Sequence, residues 1–317
     1  MTYIRANVNI ALLKYWGKQN VELNLPYQTS ISATSDVFYT DTKVEIVDSL
    51  TEDEVFLDGQ KLSGIPYIRV VQHLNTLRKH FKQKAFVRVR SFNTVYIKAG
   101  FASSASAFAA LTAAYTVAIN KRVSKIELSR LARIGSGSAA RSLHGGFVIW
   151  HKGVSHESSF AEQLPVSWPN FRMIFTLIET SEKKVSSRVG MQICVEKSPS
   201  FNNFVREGGH HVELMIDALL RNDLHAVGEI AEQNAELMYN VMLEAGLEYQ
   251  TEATRKLIEK VKDIRKRKEI PVYYTFDAGP NLILLTEAEY VEDITKLLEG
   301  VRLEVSKVGG PFSVVKR

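Results

Sequence analysis

The chain contains 317 residues, of which 45% are hydrophobic and 24% are charged, and its formal net charge is +5. This composition excludes a chain that is disordered, collagen-like or a bare coiled coil throughout, and the length predicts roughly two domains. No apolar run reaches the roughly 18–20 residues of a membrane span, and the N-terminus lacks the apolar core of a signal peptide. The single cysteine, Cys194, excludes a disulfide framework and a cysteine-based metal cluster. We therefore expect a cytoplasmic protein.

The first half of the chain is predicted to mix strands and helices. Residues 43–49 and 54–59 are apolar at alternate positions and are expected to pair as a hairpin. An alanine-rich helix is expected at about 104–119, after Gly100. The other strands are predicted at 3–10, 85–91, 147–153 and 172–179, and the other helices at 66–82 and 126–134.

The second half is richer in helical patterns. Three consecutive helices are predicted over 203–268, with breaks near Asn222 and Gly246, and they are followed by a strand, a turn and a strand over 272–286. A helix at 290–299 and a final strand at 301–308 complete the chain. The change in composition predicts an α+β protein with two domains side by side, at 1–178 and 179–317.

Two segments combine cations or hydroxyls with glycine. Residues 9–20 carry Lys14 and Lys18 four positions apart around Tyr-Trp-Gly, which fits either an anion site or a solvated strand end. Residues 98–108 open the alanine-rich helix with a serine cluster, and a helix N-terminus favours an anion. A simple helix cap is the alternative there.

Three further segments follow the same chemistry. Residues 135–146 place Ser136 and Ser138 shortly before Arg141, a nest of hydroxyls and a guanidinium fork that suits a phosphate or carboxylate; a flexible loop is the alternative. Residues 183–190 repeat the serine–arginine pattern. Asp277 ends a predicted strand, where it is either a functional carboxylate or a plain turn residue.

These segments together predict a small polyanionic substrate. A nucleic-acid partner is not expected, because a basic stripe interleaved with aromatic residues is absent from the sequence. The basic run at 262–268 fits the solvated end of a helix, and the neighbouring histidines His210 and His211 fit a helix surface. We expect no metal site.

The motifs resemble those of the mevalonate diphosphate decarboxylases of the GHMP kinase superfamily. They are NIALLKYWGKQN, LNLPYQTSIS, AGFASSAS, SGSAARSLHGGF, SSRVGMQ and YTFDAGPN, in chain order between about residues 5 and 285. The resemblance implies the GHMP kinase superfamily fold, an N-terminal α/β domain plus a C-terminal ferredoxin-like domain. It also implies a homodimer that acts in isoprenoid biosynthesis.

The resemblance assigns roles residue by residue. Asp277, Lys14 and Arg141 match the catalytic aspartate, lysine and arginine, and Asn9 matches the asparagine that orients the arginine. The substrate-binding positions are Tyr15, Trp16, Lys18, Ser136, Ser138, Arg141, Ser187, Arg188 and the backbone of Ala278, and the nucleotide-loop positions are Lys98, Gly100, Ser103 and Ser104.

One departure from the family leads to a narrower expectation. Residues 96–101 are Tyr-Ile-Lys-Ala-Gly-Phe, where the family usually has Pro-Thr-Ala-Ala-Gly-Leu around the nucleotide phosphates. His144 also replaces the usual Phe or Tyr. We therefore expect an ATP-independent mevalonate 3,5-bisphosphate decarboxylase that forms isopentenyl phosphate and needs no cofactor.

Two other functions stay open at this stage. One is an ATP-dependent decarboxylase of mevalonate 5-diphosphate or 5-phosphate, with MgATP as its nucleotide. The other belongs to a different class, a non-catalytic polyanion- or RNA-binding protein on the same fold. Asp277 disfavours the second, since a binder of polyanions gains nothing from an aspartate in its pocket.

Overall fold

Two β-sheets covered by helices organise the computed structural model, which describes residues 2–94, 103–178 and 185–317. The strands are β1 (Thr2–Leu13), β2 (Lys18–Asn20), β3 (Leu25–Pro26), β4 (Ser30–Ile46), β5 (Glu54–Leu57), β6 (Gln60–Lys61), β7 (Val87–Asn93), β8 (Phe147–Trp150), β9 (Ala161–Gln163), β10 (Phe171–Leu177), β11 (Tyr273–Phe276), β12 (Leu282–Glu287), β13 (Arg302–Ser306) and β14 (Ser313–Lys316). The helices are α1 (Gly64–Phe81), α2 (Ser103–Ala118), α3 (Lys125–Gly135), α4 (Ser187–Lys197), α5 (Phe201–Leu220), α6 (Leu224–Glu244), α7 (Glu252–Lys268) and α8 (Val291–Leu297), with 3₁₀ turns at Gly137–Leu143 and Ala288–Tyr290.

The first sheet has the strand order β14-β1-β4-β7-β5-β6, and β8 extends it from the first half of β4 to β9. In β1 the alternating residues Ile4, Ala6, Val8 and Ile10 are all buried, as a strand with a covered face requires. Helix α2 packs against both β1 and β4. The predicted strand at 3–10 and the alanine-rich helix are therefore confirmed, with β1 extending to Leu13.

The predicted hairpin between 43–49 and 54–59 is wrong. The end of β4 pairs with β7 instead, and β5 lies on the far side of β7, parallel to it. The chain between β5 and β7 contains α1, and a strand–helix–strand connection of this kind returns in parallel. Alternation predicts a strand but does not identify its partner.

The second sheet is fully antiparallel, with the strand order β11-β12-β10-β13. Strand β10 precedes the expected domain boundary at 178, whereas β14 follows β13 and returns to pair with β1 of the first sheet. Sheet membership therefore does not follow that boundary. Residues 301–308 were expected to hold the last strand, and β14 adds another beyond it.

The predicted run of three helices over 203–268 is confirmed by α5, α6 and α7, which break at Asn222 and Gly246 as expected. Asp223 caps α6 by accepting a bond from the Ala226 amide, and Thr251 caps α7. Helix α6 packs on both β1 and β11, so the two sheets share one apolar core. None of the described helices combines the length and the apolar character that a membrane crossing requires.

Candidate active site

The end of β1 meets the end of β11 at the junction of the two sheets. Lys14 follows β1 directly, and its Nζ lies 3.2 Å from Oδ1 of Asp277, which follows β11. The same Nζ donates to the Ala11 carbonyl at 2.9 Å. Burial lowers the pKa of Lys14, and the charge of Asp277 opposes that shift. The structure thus pairs the two predicted catalytic residues from distant parts of the chain.

The buried guanidinium of Arg141 is held within the 3₁₀ turn by two side chains. Its Nε donates to Oδ1 of Asn9 at 3.0 Å, and Nη1 donates to the hydroxyl of Ser30. Asn9 in turn donates to the Ser142 hydroxyl at 2.7 Å and to the Ser138 carbonyl at 3.1 Å. The alternative of a flexible loop over 135–146 is wrong, because these bonds and the burial fix the segment.

Electrostatics keep Arg141 charged in this site. Burial lowers the pKa of Arg141 to about 10, with Asp277 and Tyr15 acting against that shift. The guanidinium therefore remains protonated near neutral pH. It supplies a fixed positive charge near the Lys14–Asp277 pair, in a place from which water is largely excluded.

The Tyr15 hydroxyl is buried and has no hydrogen-bond partner in the described part of the chain. Its ring packs edge-on against Trp150, with centroids 4.7 Å apart. Gly137 lies against it, since a Cβ at this position would sit 2.6 Å from the Tyr15 oxygen. Burial raises the pKa of Tyr15, so the hydroxyl remains a donor. A buried donor without an acceptor is what an anionic ligand would satisfy.

Three cations share a second part of the site. Burial, followed by the charges of Arg188 and Arg69, lowers the pKa of Lys18 to about 8. Burial and Arg188 also lower the pKa of Arg69, whose Nε is buried without a partner among the described residues. Cations that lie close enough to lower the pKa of Lys18 and of Arg69 mark a place where an anion would be stabilised.

Arg69 was not predicted from the sequence. It lies on α1 between Ile68 and Val70, and the available signal was an arginine inside an apolar helical run. The packing of α1 beside α3, which no local pattern predicts, places Arg69 where its charge acts on Lys18.

The other predicted residues fall around this centre. The Ser104 hydroxyl of α2 lies 3.3 Å from the Ser136 hydroxyl, which links the predicted nucleotide and substrate segments. Trp16 is buried and packs edge-on against Tyr249. Ser187 and Arg188 open α4, Ala278 is buried directly after Asp277, and α2 begins at Ser103.

Two predicted residues, Lys98 and Gly100, lie outside the described residues, as do 96, 97 and 101 of the same loop. Within the parts of the chain that are described, no group of three or more His, Cys, Asp or Glu side chains could hold a metal ion.

Family models and a curated relative match almost the full length of the chain. The model of the diphosphomevalonate decarboxylase-like N-terminal domain matches residues 6–161, and that of the mevalonate 5-diphosphate decarboxylase C-terminal domain matches residues 173–308. The chain is 34% identical over 327 residues to the diphosphomevalonate decarboxylase of Debaryomyces hansenii, an alignment that covers 96% of this chain and 83% of that protein.

Two solved structures superimpose closely on the chain. One is described as MDDEF in complex with MVAPP, AMPPCP and magnesium, with a TM-score of 0.95 at 38% identity and coverage of 100% of this chain and 99% of that chain. The other is the mevalonate diphosphate decarboxylase of Staphylococcus aureus, with a TM-score of 0.95 at 35% identity and the same coverage of 100% and 99%.

The fold and the site define a decarboxylase of the GHMP kinase superfamily, and the predicted superfamily fold with its two domains is confirmed. The chain belongs to the diphosphomevalonate decarboxylase family. It is a carboxy-lyase that acts on phosphorylated mevalonate. The alternative of a non-catalytic polyanion- or RNA-binding protein therefore has no support.

Proposed function

We propose that the chain is an ATP-dependent diphosphomevalonate decarboxylase whose substrate is mevalonate 5-diphosphate. The observation that carries the proposal is the Lys14–Asp277 pair, with its 3.2 Å contact at the junction of the two sheets. Phosphoryl transfer to the 3-hydroxyl requires a group that orients this hydroxyl and accepts its proton, for which a carboxylate is suited. A substrate that already carried the 3-phosphate would leave Asp277 without this task.

In the proposed reaction, Asp277, Lys14 and Arg141 each have a separate role. Asp277 orients the 3-hydroxyl and accepts its proton, while the ammonium of Lys14 balances the carboxylate charge in the buried site. MgATP supplies the phosphoryl group that converts the hydroxyl into a leaving group. As the bond between C3 and this oxygen breaks, negative charge grows on the departing phosphate, and Arg141 stabilises it. The electron pair of the bond to the carboxylate carbon then forms the alkene as CO₂ leaves.

The described residues fit a ligand that carries several phosphates. Tyr15 offers a buried hydroxyl and Arg69 a buried Nε, neither with a partner among the described residues. Lys18 and Arg188 add positive charge to the same region. We assign Tyr15, Lys18 and Arg188 to the substrate diphosphate, and Arg69 with Ser104 to the nucleotide phosphates.

The relatives support the use of nucleotide. A neighbour at 38% identity is described in complex with AMPPCP, an analogue of ATP, and with magnesium. Curated relatives such as that of Debaryomyces hansenii are diphosphomevalonate decarboxylases. The expectations of a 3,5-bisphosphate substrate and of no cofactor have no support there. They rested on the side chains at 96–101, which the structure does not describe.

The proposal is tested by product release from two substrates. We expect CO₂ and ADP in equal amounts from mevalonate 5-diphosphate with MgATP, and no CO₂ when the nucleotide is omitted. Mevalonate 3,5-bisphosphate without nucleotide serves as the comparison. CO₂ release from the bisphosphate alone, without ADP formation from the diphosphate, would restore the ATP-independent function and leave the assignment of Arg141 unchanged.

The homodimer stays a prediction of the family resemblance, and the cytoplasmic location stays a prediction of the composition and the N-terminal sequence. The mass of the protein in solution, measured by light scattering, tests the first, since a single chain has a mass of 35.7 kDa. Cell fractionation tests the second.

A further inference from the structure

Side chains, and not neighbouring strands, hydrogen-bond both backbone polar groups of Lys14. Strand β1 ends one residue earlier, so the sheet ladder does not take up the polar groups of this buried backbone. Its N–H donates to Oδ1 of Asn234 at 2.7 Å, and its carbonyl accepts from Nε2 of Gln28 at 2.7 Å. Buried backbone groups require partners, and here two side-chain amides from distant elements provide both.

Among the described residues, the bond to the Lys14 amide is the only hydrogen bond that the Asn234 side chain makes. It lies on α6 with 0% of its surface exposed, and its Nδ2 has no hydrogen-bond partner in the described part of the chain. A fully buried amide with one unsatisfied nitrogen costs stability, and a leucine of similar size would avoid that cost. The hydrogen bond to the Lys14 amide is the interaction that offsets this loss of stability.

Gln28 fits into a space that a glycine of α5 leaves open. It lies between β3 and β4 and is 3% exposed. Its amide occupies the space beside Gly208 of α5, where a Cβ would clash with Oε1. The glycine thus leaves room for the glutamine, and the glutamine holds the carbonyl of Lys14.

We propose that Asn234 and Gln28 are positioning residues that fix the Lys14 peptide and, through it, the ammonium beside Asp277. The inference rests on the proposed function. A lysine side chain has four rotatable carbon bonds, so the aim of its nitrogen depends on where its backbone is anchored. Errors of about 1 Å in such a constellation reduce turnover by about a hundredfold.

The test uses variants that break one bond each. Asn234→Leu removes the acceptor of the Lys14 amide, whereas Asn234→Asp keeps an oxygen in the same place. Gln28→Met removes the donor to the carbonyl, and Gly208→Ala displaces Gln28 without touching Lys14. Gln250→Met is the control for the loss of a buried glutamine, because Gln250 is 6% exposed and lies in the loop before α7.

Two measurements separate positioning from mere stability. We expect Asn234→Leu, Gln28→Met and Gly208→Ala to lower kcat by at least about tenfold with KM nearly unchanged, while Asn234→Asp stays within about threefold of wild type. Hydrogen exchange at the Lys14 amide, followed by NMR, should be slow in wild type and in Asn234→Asp. It should be at least about tenfold faster in Asn234→Leu.

The exchange measurement needs no turnover, so it separates the two proposals. If the wild type does not decarboxylate mevalonate 5-diphosphate with MgATP, the proposed function fails, and the exchange rates alone decide whether Asn234 and Gln28 fix the Lys14 backbone. The positioning role is overturned if exchange at Lys14 is the same in Asn234→Leu and in wild type. It is also overturned if kcat in Asn234→Leu and Gln28→Met matches that of Gln250→Met.

Discussion

Asp277 and Lys14 differ in burial, since their side chains are 26% and 1% exposed. The variant Asp277→Asn leaves a buried ammonium without its counter-charge, and under the proposed function it also removes the charge that acts on the reacting hydroxyl. We expect kcat to fall by about a hundredfold or more while KM changes little, because the interaction matters most in the transition state. Steady-state kinetics with mevalonate 5-diphosphate and MgATP measure this. Asp293→Asn on the surface of α8 is the control, and a comparable kcat in both variants would contradict the assignment.

Arg141 uses the shape of its side chain as well as its charge. Its Nε bonds Asn9 and its Nη1 bonds Ser30, and a lysine has no second nitrogen to reproduce this fork. We expect Arg141→Lys to lower kcat/KM by about a hundredfold, the equivalent of one or two charge-assisted hydrogen bonds. Arg206→Lys, an exposed substitution, controls for the change of residue type. Wild-type kcat/KM in Arg141→Lys would mean that the arginine acts only as a distant charge.

The candidate site residues that the sequence predicted are those whose chemistry is visible in a short motif. Lys14, Arg141 and Asp277 each stand within three residues of a glycine or a serine, where core packing does not call for a charge. Asn234 and Arg69 stand inside helices of ordinary amphipathic pattern, so only the packing of α6 and α1 shows what they face. A residue that acts through long-range contact leaves no local pattern.

Secondary-structure elements also divide into those that a local pattern predicts and those that depend on distant contacts. Strand β1 and helix α2 follow from their own periodicity, because burial of one face is a local property of the sequence. The partner of β5 is not local: it depends on α1 closing the connection to β7. The short strand β14 has three exposed residues and one partly exposed residue, so no buried face marks it in the sequence, and its pairing with β1 determines it.

Two buried histidines make stability depend on pH: His144 at the end of the 3₁₀ turn, and His73 on α1. Burial lowers the pKa of His144 to about 4 and that of His73 to about 3, against about 6.5 in an unfolded chain. The unfolded state therefore binds protons first as the pH falls, and stability declines from about pH 6.5 downward, by up to about 1.4 kcal/mol per unit for each imidazole.

His144→Phe should remove one of these two contributions. Urea unfolding measured at about pH 7 and about pH 5 should show a loss of stability that is smaller by about 2 kcal/mol in the variant than in wild type. His210→Phe on the exposed face of α5 is the control. An equal loss in wild type and in His144→Phe would mean that His144 is not buried as a neutral imidazole.

At the scale of the whole molecule, the C-terminal segment returns from the second sheet to the first and bonds the chain just after the turn that carries Arg141. Gly309 donates to the Thr34 carbonyl at 2.8 Å, and its own carbonyl accepts from Gly146 at 2.9 Å, close behind the turn that carries Arg141. Beyond it, β14 covers the edge of β1, which would otherwise be exposed. In this segment Gly309 thus bonds the chain behind the candidate site, whereas β14 covers the edge of the first sheet.

Two truncations separate these parts. A chain that ends at Gly310 loses β14 and keeps the bonds of Gly309, so we expect Tm to fall by about 3–6 °C while kcat stays within about twofold of wild type. A chain that ends at Val308 also frees Gly146 and Thr34, and we expect kcat to fall by about tenfold or more, because Arg141 loses the support behind its turn. Thermal unfolding and kinetics of both chains measure this. Equal kcat in the two truncated chains, after correction for the folded fraction, would show that the C-terminal segment only closes the sheet.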